Sequence, residues 1–158
     1  NLGWATDQGG KILQVVSNNV AGGSLNDTSS SSHSDTGLSI NITPSATSSK
    51  IIVTLAVSAY HHGGGGDTGA EYLVQRKIDS GSYSILTNVT SAASVNTFYI
   101  AGTGNMEIIM PLTFIQYDAP NTTGVCNYKL TYAATGGGSI GLSTTNKNGI
   151  ATAWEIAG

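Results

Sequence analysis

The chain has 158 residues, enough for one domain that buries a core between two packed layers. Only 9 % of its residues are charged, against about 25 % in ordinary soluble domains, and the net charge is -3 with no basic block. That argues against nucleic-acid binding, which needs clustered cations, and no apolar run approaches the roughly 18 residues of a membrane-spanning helix.

Solubility must come from neutral polar groups. Ser, Thr, Asn and the 21 glycines fill that role, and they favour turns over helix. The larger apolar residues are mainly Ile, Val and Tyr, which suit a pleated surface. Cys126 is the sole cysteine, so no disulfide forms within the chain; with no activating partner nearby it reads as an inert strand residue. The opening, Asn1-Leu2-Gly3 without an initiator Met, is expected of a domain cut from a longer polypeptide.

In chain order, residues 1–9 read as an N-terminal linker or docking segment, with Trp4 a candidate contact to a neighbouring subunit. Residues 10–158 read as the folded domain. Lys11 to Ser17 is a first strand, and Asn18 to Ser34 is a serine-rich loop with at most a weak edge strand. Leu38, Ile40 and Ile42 alternate with polar residues as a half-buried strand that Pro44 stops. Lys50 to Tyr60 is the strongest strand: Ile51, Val53, Leu55, Val57 and Ala59 share one face, and its apolar character places it mid-sheet.

The strand is expected to end in His61-His62-Gly63-Gly64-Gly65-Gly66-Asp67, a glycine-rich loop. Glu71 to Ile78 and Tyr83 to Leu86 form a hairpin across Asp79-Ser80-Gly81-Ser82. Strands follow at Asn96 to Ala101 and Glu107 to Tyr117, where Pro111 demands a bulge, a break or an edge position. Tyr128, Leu130 and Tyr132 mark a further strand, and Ile140 to Ser143 and Ile150 to Ile156 complete the set. Trp154 on the final strand is expected in the core. About nine or ten short strands without a helical period predict an all-β fold, an antiparallel two-sheet β-sandwich of jelly-roll type.

No constellation for catalysis emerges. No serine lies on the strand-to-helix turn that a nucleophile elbow needs, since no helical period follows any of them, and His33 sits in a polar loop. Asp67 with Glu71, and Asp118 with Glu155, are not spaced as paired carboxylates. His61, His62 and Asp67 could supply metal ligands, but adjacent histidines on a strand point to opposite faces. The four Asn-x-Ser/Thr sequons, at Asn26, Asn41, Asn88 and Asn121, match what so Ser/Thr-rich a chain holds by chance. The chain therefore reads as non-enzymatic, with no metal and no cofactor. The residues best placed for surface contact are the loop His61, His62, Gly63, Gly64, Gly65, Gly66 and Asp67, with Tyr60, Tyr83, Tyr99, Tyr117 and the two tryptophans, Trp4 and Trp154, as candidate aromatic contacts for sugar.

Several segments together resemble a known family. Gly10-Lys11-Ile12-Leu13-Gln14-Val15-Val16-Ser17 resembles a GKVLQVVS-type opening, and Asp35 to Ser45 (DTGLSINITPS) resembles a D-T-G-L-S strand and turn, followed by Ser48-Ser49-Lys50-Ile51-Ile52-Val53. Tyr117-Asp118-Ala119-Pro120-Asn121-Thr122-Thr123 leading to Tyr128-Lys129-Leu130, and the ending Ala153-Trp154-Glu155-Ile156-Ala157, complete the likeness. In this order they resemble a domain of phage structural proteins, especially tail-fibre and virion-surface proteins of aquatic phages. The resemblance covers nearly the whole chain except His61 to Gly69, and its motifs are structural. It implies assembly in the host cytoplasm, a place on the virion, other virion proteins as partners, and self-association, commonly as a homotrimer. Fibre or capsid or tail decoration is the expected role; recognition of a host surface glycan is the alternative.

Overall fold

Alternation of Ile, Val and Leu with small or polar residues makes Lys50–Gly64 the axis of the fold. The computed structural model describes residues 10–20, 27–29, 31–64, 68–86, 95–100, 105–136, 139–142 and 149–158. These form eleven strands and no helix: β1 (Ile12–Val20), β2 (Asp27–Thr28), β3 (Ser34–Ile42), β4 (Lys50–Gly64), β5 (Thr68–Ile78), β6 (Ser84–Ile85), β7 (Val95–Ile100), β8 (Asn105–Asp118), β9 (Cys126–Gly136), β10 (Ser139–Leu142) and β11 (Gly149–Ile156). Since β2 and β6 are two-residue pairs, nine longer strands carry the architecture, as the alternation predicted.

The strands form two antiparallel sheets that pack as a β-sandwich. In the first, β4 is central. One of its edges pairs with β11 over Lys50–Ala56 and then with β10 over Ala59–His62, while β8 runs along the other edge over Ile51–Gly64. β1 lies outside β11, and β2 outside β10. In the second sheet the order is β3-β9-β5, with β6 and β7 sharing the far edge of β5.

The core follows the period of two. Ile51, Val53, Leu55, Val57 and Ala59 of β4 face Leu38, Ile40 and Ile42 of β3 and Tyr128, Leu130 and Tyr132 of β9 across the inter-sheet space. Each such aliphatic side chain contributes about 1.5–3 kcal/mol by leaving water. Pro111 stands in register with Ser58, and β8 pairs with β4 alone among the described residues. That is the edge position the proline requires, because it has no N–H to offer a further strand.

Two expectations are corrected. β4 does not stop at Tyr60: the ladder continues through His61 and His62 to Gly63 and Gly64, which pair with Met106 and Asn105. Glycine permits a turn without demanding one, and a long partner strand kept the segment extended. Trp154 is not in the core. The inward residues of β11 are Ala151, Ala153 and Glu155, so Trp154 projects outward and is only half-buried. The expectations for residues 1–9, Trp4 among them, and for Gly65, Gly66 and Asp67 concern positions outside the described residues.

Candidate functional site

Consecutive positions on β4 send His61 and His62 to opposite faces. His61 is 1 % exposed and sits between the sheets, edge-on to Tyr72 with ring centroids 6.4 Å apart. Desolvation pushes its pKa down to about 4, so the ring is neutral near pH 7. His62 faces outward, its ring stacked 6.5 Å from that of Tyr60. Of the expected contact loop, His61 is thus closed to any partner, His62 is presented, and Gly63 and Gly64 are strand. No group of three or more His, Cys, Asp or Glu is placed to hold a metal ion among the described residues.

Two carboxylates lie where the sequence suggested nothing. Glu155 is wholly buried, and its Oε1 accepts hydrogen bonds of 2.6 Å from the Ser45 N–H, the Ser45 hydroxyl and the Ser49 hydroxyl. Its Oε2 accepts a 2.6 Å bond from the Gln14 amide, which also donates to the Thr43 carbonyl at 2.7 Å. Burial alone raises a carboxyl pKa. Here the donors from Ser45, Ser49 and Gln14 outweigh it and bring Glu155 down to about 2. The charge is therefore held by dipoles, and β1, the 43–49 turn and β11 are tied to one group.

Asp118, at the end of β8, is 8 % exposed and accepts two bonds from Arg76 Nη1, at 2.7 and 2.8 Å. The Tyr128 hydroxyl donates to its Oδ2 at 2.7 Å. Burial, then that bond to Asp118, pushes the Tyr128 hydroxyl far up. Arg76 and Tyr128 belong to the second sheet and Asp118 to the first, so the cluster ties the layers together. Both carboxylates are saturated with donors and shielded from solvent, an arrangement suited to fastening strands and not to moving protons on a substrate. Cys126 is fully buried beside this cluster, and burial pushes its thiol up, as its reading as an inert strand residue requires.

The second sheet's outer face is polar. Tyr83 lies under the ammonium groups of Lys129 and Lys77, 4.0 and 5.2 Å from its ring centre. Its hydroxyl donates to Asn127 at 2.5 Å, and the Asn127 amide donates to Asn41 at 2.6 Å. Lys129 also pairs with Asp35 at 2.9 Å. Beside this patch a depression of about 260 Å³ opens between β1 and β3, lined by Ser17, Asn18, Ser39 and Asn41 together with Val16 and Ile40.

Among solved structures, this chain is similar to that of the infectious bursal disease virus Gx strain, with a TM-score of 0.45 and 12 % identity over 92 % of this chain. It is also similar to the infectious bursal disease virus VP2 subviral particle, at 0.43, 12 % and 92 %. The chain spans about two fifths of the length of each, 41 %. No protein-family model and no curated protein sequence matches it.

The first sheet's outer face differs in kind from the second's. Val15, Trp154, Ile52 and Tyr117 form one cross-strand row on it, flanked by Ile12 and Ile156 on one side and Ile115 on the other. Of the tyrosines expected to contact sugar, Tyr60 and Tyr117 lie on this face, Tyr83 lies on the other, and Tyr99 is placed only by its backbone in β7.

Proposed function

We propose that this domain is a structural component of a bacteriophage virion, a fibre or particle-surface decoration domain that works as a homo-oligomer, a trimer by its family resemblance. It acts by shape and packing, without catalysis, metal or cofactor. One observation carries the reading. The segments behind the resemblance are the ones that build the fold's buried fastenings: Gln14 of KILQVVS, Ser45 and Ser49 of ITPSATSS and Glu155 of AWEIA converge on one carboxylate. Asp118 of YDAPNTT and Tyr128 of YKL meet on the other. The shared motifs thus encode a rigid block, which is what a particle surface asks of its parts.

Mass spectrometry of purified particles from the producing host should find the chain at stoichiometric abundance, and its absence from particles overturns the proposal. Recognition of a host surface glycan is a second reading, favoured by the Tyr83 patch, where a ring, an amide pair and two ammonium groups face outward together. Binding of the purified domain to host cells that Tyr83→Ala abolishes would establish it, and no binding to cells would dismiss it.

A further inference from the structure

The two outer faces of a sandwich that stands alone are expected to be polar, because each strand alternates core with solvent. Here only one is. The second sheet turns Ser39, Asn41, Asn127, Lys129, Gln75 and Lys77 outward, and the apolar residues on that side, Leu73 and Ala133, are buried. The first sheet turns out the row Val15–Trp154–Ile52–Tyr117, then Ser17–Thr152–Thr54–Ile115, then Asn19–Ile150–Ala56–Thr113, and continues along β4 and β8 to Tyr60 and Ile109. No charged residue occupies any of these positions. Ile115 is 70 % exposed, Ile109 64 % and Tyr117 58 %. A shallow depression of about 320 Å³ runs between Ile12, Ile52, Ile115, Trp154 and Ile156.

We propose that this face is where the chain associates with a second copy of itself. The inference deepens the homo-oligomer named above by assigning its surface, and it rests on that reading only for the expectation that copies meet. Charge selects the occupant. A face without charge offers nothing to an acidic or basic partner, whose ions it would bury unpaired, whereas another copy brings the same neutral, apolar rows with Thr hydroxyls between them. Lys50, in register with Ile156, puts a charge at one end of the face and leaves the apolar rows at its centre. Size agrees. Four strands over eight residues span about 500 Å² in plan, and the extension along β4 and β8 brings this to about 700 Å². A stable complex buries about 800 Å² per partner.

Sedimentation velocity on the purified chain should show a multimer that Ile115→Lys and Val15→Lys each convert to monomer with an unchanged far-UV circular dichroism spectrum. Ile85→Lys, on exposed β6 of the other sheet, should leave the multimer intact. Hydroxyl-radical footprinting of the unmodified chain reads the same surface without mutation: Trp154 and Tyr117 should lose reactivity as concentration rises while Tyr83 does not. A wild-type monomer throughout the concentration range, a multimer that both lysine variants leave assembled, or Tyr117 as reactive in the multimer as in the dilute chain overturns the assignment. A wild-type monomer would also remove the homo-oligomer from the proposed function, whereas the other two results overturn this surface alone, and none of the three bears on whether the chain is found in particles.

Discussion

Glu155 shows how much one side chain can hold. Four donors from two segments meet its two oxygens, and no water-exposed route compensates if they are lost. Glu155→Gln replaces one acceptor with an NH₂ group facing donors, and should destabilise the domain by about 3 kcal/mol, read as a shift in the urea midpoint at constant slope. The charge also dictates an acid response. Because the folded carboxyl titrates at about 2 and an unfolded one at 4.5, its contribution is complete above pH 4.5 and is lost as pH falls towards 2.

His61 acts earlier on the same descent. Its folded pKa, about 4, lies below the unfolded 6.5, so the unfolded chain takes up the extra proton first. Stability from neutral His61 is full above pH 6.5 and declines between 6.5 and 4. Acid titration of stability should therefore fall in two stages, and His61→Phe should remove the upper one while leaving the lower. A single-stage loss in the wild type would contradict the burial of His61.

At the scale of elements, the motif Asp35-Thr36-Gly37-Leu38 resolves into a local device. The β3–β9 register shifts between Asp35 and Ser39, and Gly37 sits at φ 83° within the irregularity. Asp35 accepts from the Gly37 N–H at 2.9 Å, and the Thr36 hydroxyl donates to the Leu130 carbonyl at 2.7 Å while accepting from the Leu38 N–H at 3.1 Å. The backbone groups that the bulge withdraws from the ladder are thus satisfied by side chains. Gly37→Ala forces an L-residue into the left-handed region and should cost about 1–2 kcal/mol, measurable as a lowered melting temperature. Asn at the same position tolerates that region better and should cost less.

How much of this was legible varied by element. β4 was readable over Lys50 to Tyr60 because five apolar residues at a period of two coincide with five buried positions. Its extension was not, because Gly63 and Gly64 carry no side chain to show a period, and only pairing with β8 reveals them as strand. β11 misled for the opposite reason. Ile150, Trp154 and Ile156 alternate convincingly, but on the outside, while Ala151, Ala153 and Glu155 fill the core. Hydrophobic periodicity reports which residues share a face and not which face is inward. When both faces are apolar the choice is made by partners elsewhere in the chain, here the serines of the 43–49 turn that receive Glu155. The buried Glu155 network was therefore beyond local pattern, although all of its residues stood in segments already marked as motifs.

For the whole molecule, chain order and spatial order are far apart in a way that has a measurable consequence. The last strand, β11, is interior to its sheet, between β1 from the opposite end of the chain and the central β4. Through Glu155 it also receives Gln14, Ser45 and Ser49. No subset of strands that forms earlier in the sequence can complete the first sheet, so the domain must close by long-range pairing of its two ends, which is entropically costly and slow. Removal of residues 149–158 should consequently do more than shorten an edge. It exposes the long side of β4 over Lys50–Ala56, leaves β1 without its ladder partner and strands four donors that now serve one carboxylate. The truncated chain is expected to lack a cooperative thermal transition and to be cut rapidly by protease, and addition of a synthetic peptide covering residues 149–158 should restore both signals. A truncated chain that still melts cooperatively would show that β11 caps a sheet already formed without it.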